Sequence, residues 1–189
     1  HIGEYNHWVG GIKGKKVPYD NCGQMVTVTV PTQLENLKFF FRYQVGFMYW
    51  RYFMWNFVGR QNDIQGHGEI ENGNWITGIN FIDNKLVGGD QRILPEAYKG
   101  KGRNVFYGLP LILGIIGLCW QLGKGKKGTQ QFWVVFSLFF MTGLAIVVYL
   151  NQTPLQPRER DYAYAGSFYA FAIWIGMGTA AISEILRKI

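Results

Sequence analysis

The chain has 189 residues, of which 48% are hydrophobic, 17% aromatic and only 16% charged, against about 25% charged in an ordinary soluble domain. Asp, Glu, Lys and Arg are absent from 104–123, 128–157 and 162–183, which excludes an ordinary soluble globule, intrinsic disorder and a disulfide scaffold. An α-helical integral membrane protein is predicted, and the net charge of +7 is assigned to lipid headgroups and topology rather than to nucleic acid, because the basic residues flank apolar spans.

The chain opens on His1 with no signal peptide and stops at Arg187-Lys188-Ile189 just past an apolar run, so it reads as an internal piece of a longer polypeptide. Residues 1–104 are expected on the extracytoplasmic side. Within them 1–36 and 61–104 are polar and Gly-rich and should be irregular with short strands, one at MVTVTV (Met25–Val30). Between them an aromatic helix is predicted over 37–60. Phe40, Tyr43, Phe47, Trp50, Met54 and Phe57 form an apolar stripe, with Lys38, Arg42, Tyr49, Tyr52, Asn56 and Arg60 on the opposite face and Arg51 on a flank. Its arginines would be costly at a bilayer centre and its rings suit the interface. The helix is therefore expected to lie in, or dip into, the outer interface as a re-entrant element. A true span whose arginines face a protein cavity is the alternative.

Residues 105–189 are expected to hold the transmembrane region, with helices at about 105–122, 132–150 and 164–186. Gly176, Gly178, Ala180 and Ala181 suit close helix packing in the third. Lys124, Lys126 and Lys127 make 123–131 a cytoplasmic loop by the positive-inside rule, and Arg187 and Lys188 fall on the same side. The loop 151–163 is then outside. Cys22 and Cys119 are too far apart in kind and position to suggest a disulfide, and no metal-type cysteine spacing exists. No cofactor motif is found; a divalent metal stays open.

Two polar clusters carry candidate chemistry. The first is Gln156-Pro157-Arg158-Glu159-Arg160-Asp161-Tyr162 in the outer loop. Guanidinium groups match phosphate oxygens by bidentate hydrogen bonding, so Arg158 and Arg160 are candidate ligands for an anionic headgroup, with Glu159, Asp161 and Tyr162 orienting them. The plainer reading is a salt network that anchors the loop. The second cluster is Arg51, Asn56, Arg60, Gln61, Asn62 and Asp63 at the end of the aromatic helix. Arg51 and Arg60 are secondary phosphate ligands, Asn62 and Asp63 orienting groups, and the plainer reading is a polar helix terminus. His67, Asp63 and Glu69 are minor candidates for a base.

Three long strings, MYWRYFMWNFVGRQND (48–63), GNWITGINFID (73–83) and YLNQTPLQPRERDYAYAGSFYAFAIWIG (149–176), resemble a membrane family of Bacteroidota, formerly of unknown function and now grouped with protein O-mannosyltransferase-like enzymes (glycosyltransferase family 117). The resemblance implies a fragment of a GT-C-like transmembrane bundle in the bacterial inner membrane, with its active face periplasmic. It implies transfer of a sugar or glycan from a polyprenyl phosphate or pyrophosphate donor to Ser or Thr of exported proteins. The implied partners are the lipid-linked donor, the exported acceptor, membrane lipids and a protein export complex. The catalytic acid of such enzymes lies in an outer loop that no residue of this chain matches, so donor binding is the part expected here. A non-catalytic scaffold beside the export machinery is the alternative. A lipid-linked sugar flippase is disfavoured because Glu184 alone is ionisable within the spans.

Overall fold

The computed structural model describes residues 2–90, 93, 102–155 and 161–188. It is mostly helical, and its two long apolar stretches behave as the sequence suggests. Helix α6 (Gly125–Met141) and helix α7 (Leu144–Leu150) form one stretch of 26 residues, and a short 3-10 turn (Asp161–Tyr164) leads into α8 (Ala165–Leu186), again 26 residues together. At about 1.5 Å per residue, each exceeds a hydrocarbon core of about 30 Å. Only 11% and 28% of their apolar windows are buried, so both are long and apolar enough to cross a membrane and are largely uncovered in the described protein. Val134, Met141, Val148 and Ile185 all point outward.

The boundaries differ from expectation in two places. Helix α5 covers Leu109–Leu122 rather than 105–122. It cannot start earlier because Gly108 is left-handed at φ 69 and Asn104–Val105 is drawn out as a strand, while Pro110 sits in the first turn, where its missing N–H costs nothing. The expected loop 123–131 shrinks to Gly123 and Lys124, since α6 already begins at Gly125. Its lysines extend the helix past the apolar run, and Gly128 lets α6 approach the Gln121 carbonyl where a Cβ would overlap it.

Helices α5 and α8 run parallel along a seam of glycines. Gly114 lies on the Phe171 ring, and a Cβ on Gly117 would overlap the Trp174 carbonyl oxygen. A Cβ on Gly178 would overlap that of Leu113. Within the seam Trp174 Nε1 donates to Gln121 Oε1 at 2.8 Å. Gly178 and buried Ala181 serve this contact as expected, but Gly176 meets nothing and Ala180 is exposed. At the far end Glu184 accepts from Trp120 Nε1, Lys124 Nζ and Lys188 Nζ at 3.0, 2.7 and 3.0 Å. The two lysine-bearing segments therefore share one end of the bundle.

The aromatic segment is one continuous helix in three parts, α2 (Gln33–Phe39), a π-helix (Phe40–Trp50) and α3 (Arg51–Phe57). The π-helix explains why the stripe is not the one expected. Its hydrogen bonds run from residue i+5 back to i, as from Arg51 N–H to Gly46 O, so each turn holds more residues and the faces rotate. Trp50 is 45% exposed, whereas Tyr49 and Tyr52, assigned to the polar face, are buried. Phe53, Met54, Phe57 and Val58 form the main core with Phe171 and Trp174. Tyr49 reaches α8 through Ser167 Oγ at 3.2 Å, passing the break at Gly143, where a Cβ would meet its hydroxyl. The helix thus packs across α7 and the first half of α8. At its N-terminal part, Gln44 Nε2 donates to Asn151 Oδ1 and the Gln152 carbonyl at 2.9 and 3.0 Å.

Helix α1 (Ile2–Val9) stacks on this segment through Tyr5 and Phe39, 4.7 Å apart. A hairpin of β1 (Lys15–Asn21) and β2 (Gln24–Val30) follows, with the expected strand at Met25–Val30. Thr32 and Glu35 make a capping box, and the same carboxylate accepts from the amides of Lys13 and Gly14 at 2.7 and 3.3 Å. The Thr32 amide first, then those of Lys13 and Gly14, hold the Glu35 carboxyl down at about 2, below an ordinary 4.5.

Replacing Gly117 by Ala is expected to lower stability in detergent micelles by about 1–3 kcal/mol, the usual cost of overpacking, while Gly176→Ala leaves the melting temperature unchanged or raised. Because the folded pKa of Glu35 is depressed, its clasp contributes above about pH 4.5 and is lost as the pH falls toward 2. Amide protection at Lys13 and Gly14 should fall across that window in the native protein and lose its pH dependence in Glu35→Gln.

Candidate functional site

The aromatic helix ends in a loop, 61–74, whose backbone is only partly satisfied by strand pairing. Arg51 supplies the donors. Its side chain is 4% exposed, and Nε donates to Phe47 O at 3.1 Å while Nη1 donates to the Gln65 and Gly73 carbonyls, the latter at 3.3 Å. The guanidinium lies over the rings of Phe47, Tyr52 and Trp55, at 3.8, 4.7 and 5.2 Å. Gln61 and Asn62 are fully buried and do similar work. Gln61 donates to Ile70 O and accepts from Asn74, and Asn62 donates to Glu71 O while accepting from Gly73 N and Ile64 N. Farther on, buried Asp83 in α4 (Asn80–Val87) accepts from Thr77 N, Thr77 Oγ1 and Gly78 N at 2.6, 2.7 and 2.9 Å.

This fixed loop allows a two-residue pairing of β3 (Gly59–Arg60) with β4 (Asn104–Val105). Gly59 is required by close approach, since a Cβ there would stand 2.6 Å from Ile76 O and 2.8 Å from Asn104 O. Phe106 N–H then bonds Val58 O at 3.0 Å. The result is a cleft of about 290 Å³ lined by Tyr52, Trp55, Asn56, Arg60, Asn104, Phe106 and Asp161.

Tyr52 and Trp55 line this cleft, and their buried hydroxyl and Nε1–H have no hydrogen-bond partner among the described residues. Buried polar groups in native proteins rarely stay so. Arg60 anchors by Nε to Gly102 O at 2.9 Å and lies 5.4 Å from the Trp55 ring. Asn56 Nδ2 is tied to Tyr52 O at 2.7 Å. The cleft lining thus combines an arginine, a tyrosine and a tryptophan with one acid, Asp161. That is a donor-rich set suited to an anion.

The two sequence clusters therefore meet, since Asn56 and Arg60 share the cleft with Asp161 although a hundred residues of chain separate them. Tyr52, Asn56 and Arg60 line the cleft together, but the helix ends at Phe57 rather than at 60, and Arg60 is placed by β3. Tyr52 and Trp55 were missed as site groups, and the only signal was their position beside Asn56 on the helix. Arg51 faces inward and is engaged by carbonyls and rings, and Asn62 is a loop tie. Asp63 is exposed and packs against Gly102; Tyr162 is exposed. Arg158, Glu159 and Arg160 lie outside the described residues. His67 lines a small hollow with Glu4 and Trp8, apart from the cleft, and its backbone N–H donates to Glu69 at 2.5 Å. No family model, curated protein or solved structure matches the chain.

Removing the Arg51 guanidinium strands the Gln65 and Gly73 carbonyls, and hydrogen bonds to charged groups contribute about 1.5–3 kcal/mol each. Arg51→Ala should expose the 61–74 loop to proteolysis and lower stability by several kcal/mol. Arg51→Lys, without the planar fork, should recover only part of the loss.

Proposed function

We propose that the chain is part of a multi-pass membrane glycosyltransferase that moves a sugar or glycan from a polyprenyl phosphate or pyrophosphate to Ser or Thr of exported proteins, and that the cleft takes the donor phosphate. The observation that carries this reading is that Tyr52 and Trp55, whose buried OH and Nε1–H have no partner among the described residues, line one cleft with Arg60. Asp161, which lines the cleft, directly follows Arg158-Glu159-Arg160 in the chain. Glycosyl transfer leaves negative charge on the departing phosphate. Fixed donors aimed there lower the barrier more than they stabilise the bound donor.

The topology fits an active face on the outside. Lys124, Glu184 and Lys188 meet at one end of the bundle, the end a positive-inside arrangement assigns to the cytoplasm. Asp161 begins the helix that ends there and so lies at the other end. The resemblance of the three strings quoted above supplies the reaction class, and the inner membrane as its place rests on the same resemblance.

The test uses the full-length protein. Trp55→Phe removes one N–H and keeps the ring, and Arg60→Ala and Arg158→Ala/Arg160→Ala remove charge. Each should weaken labelling by a photoreactive polyprenyl phosphate by about ten-fold or more, as expected for about 1.4 kcal/mol, and reduce glycoprotein in cells. Unchanged labelling and glycosylation with normal expression would overturn the reading. A scaffold of the export machinery would tolerate all of these changes.

A further inference from the structure

The β1–β2 hairpin is the most exposed part of the described chain, and its two faces differ. All seven positions of each strand are exposed. The register pairs Val17 with Val28, Tyr19 with Val26 and Lys15 with Val30 on one face. The other face pairs Lys16 with Thr29, Pro18 with Thr27 and Asp20 with Met25. Alternation along each strand therefore gathers Val17, Tyr19, Val26, Val28 and Val30, all exposed, into one apolar patch. A two-stranded hairpin is marginal in water by itself, and an uncovered patch of this kind marks a contact.

The hairpin is held firmly at both ends. At its tip Cys22 and Gly23 have φ 53 and 88, the conformation of a two-residue hairpin turn that matches strand twist, and Asp20 accepts from Gly23 N at 2.7 Å. At its base the Glu35 carboxylate grips the Lys13 and Gly14 amides. Lys13, Lys15 and Lys16 crowd this base. The two acids nearby are already engaged, Asp20 with the turn and Glu35 with four donors. Three lysines against two acids leave a net positive charge beside the apolar face, which complements an anionic lipid surface, where the side chains enter the headgroup boundary and the ammonium groups meet phosphate.

We propose that residues 15–30 form a membrane-surface anchor, with Val17, Tyr19, Val26, Val28 and Val30 seated in the interface of an anionic bilayer. This does not depend on the glycosyltransferase reading. The test places an environment-sensitive nitrobenzoxadiazole probe on Val28→Cys or, on the opposite face, Thr27→Cys. The background is Cys22→Asn/Cys119→Ser, in which Asn suits the turn. The protein is reconstituted in nanodiscs of phosphatidylcholine with or without phosphatidylglycerol. At position 28 in anionic discs, the emission should shift to the blue and be quenched several-fold by doxyl-labelled lipid, while position 27 stays aqueous. Lys13→Gln/Lys15→Gln/Lys16→Gln should return position 28 toward the value at 27. Equal aqueous emission at both positions would overturn the proposal. So would a blue shift at 28 without doxyl quenching, which would mean that another protein surface covers the face.

Discussion

A single inward-turned guanidinium sets the architecture around the cleft. Loop chain between short strands carries carbonyls that need donors, and Arg51 brings several on one rigid plane. Its charge is tolerated inside because the rings of Phe47, Tyr52 and Trp55 surround it and the carbonyl dipoles of Gln65 and Gly73 point at it. Trp55 is the shared element, with Arg51 at 5.2 Å and Arg60 at 5.4 Å. A structural arginine and a cleft arginine are thus fixed against the same indole. The side-chain amides of Gln61 and Asn62 complete the loop, so Arg60 is presented from a stiff frame.

The long apolar helices were legible because hydropathy alone determines them. Their ends were not. Hydropathy reports where apolar side chains stop, whereas α6 runs on through Gly125 to Gln131 on polar residues with no reason to break it. The aromatic helix was legible as a helix but its buried face was not, because a 3.6-residue period was applied across a π-helical stretch. That error put Trp50 inside and Tyr49 outside, the reverse of the observed burial.

The site shows the same division. A shared helical face for Tyr52 and Asn56 follows from local spacing, whereas Arg60 joins them through β3. The arrival of Asp161 and Asn104 beside them is set by tertiary pairing, for which one sequence carries no signal. Arg51 and Arg60 look alike in sequence, each an arginine among aromatics. Only the path of the loop beyond Gly59 separates the one that holds carbonyls from the one that lines the cleft.

The brevity of α5 has a mechanical consequence. Its 14 residues extend about 21 Å at 1.5 Å each, well short of a bilayer's apolar thickness of about 30 Å, yet glycine contacts lock it alongside the far longer α8. A lipid leaflet bordering α5 would have to thin or dimple there. The strand that feeds α5 carries Asn104 on the cleft wall, with Phe106 just beyond it, so such a dimple would draw polar headgroups down toward the cleft mouth.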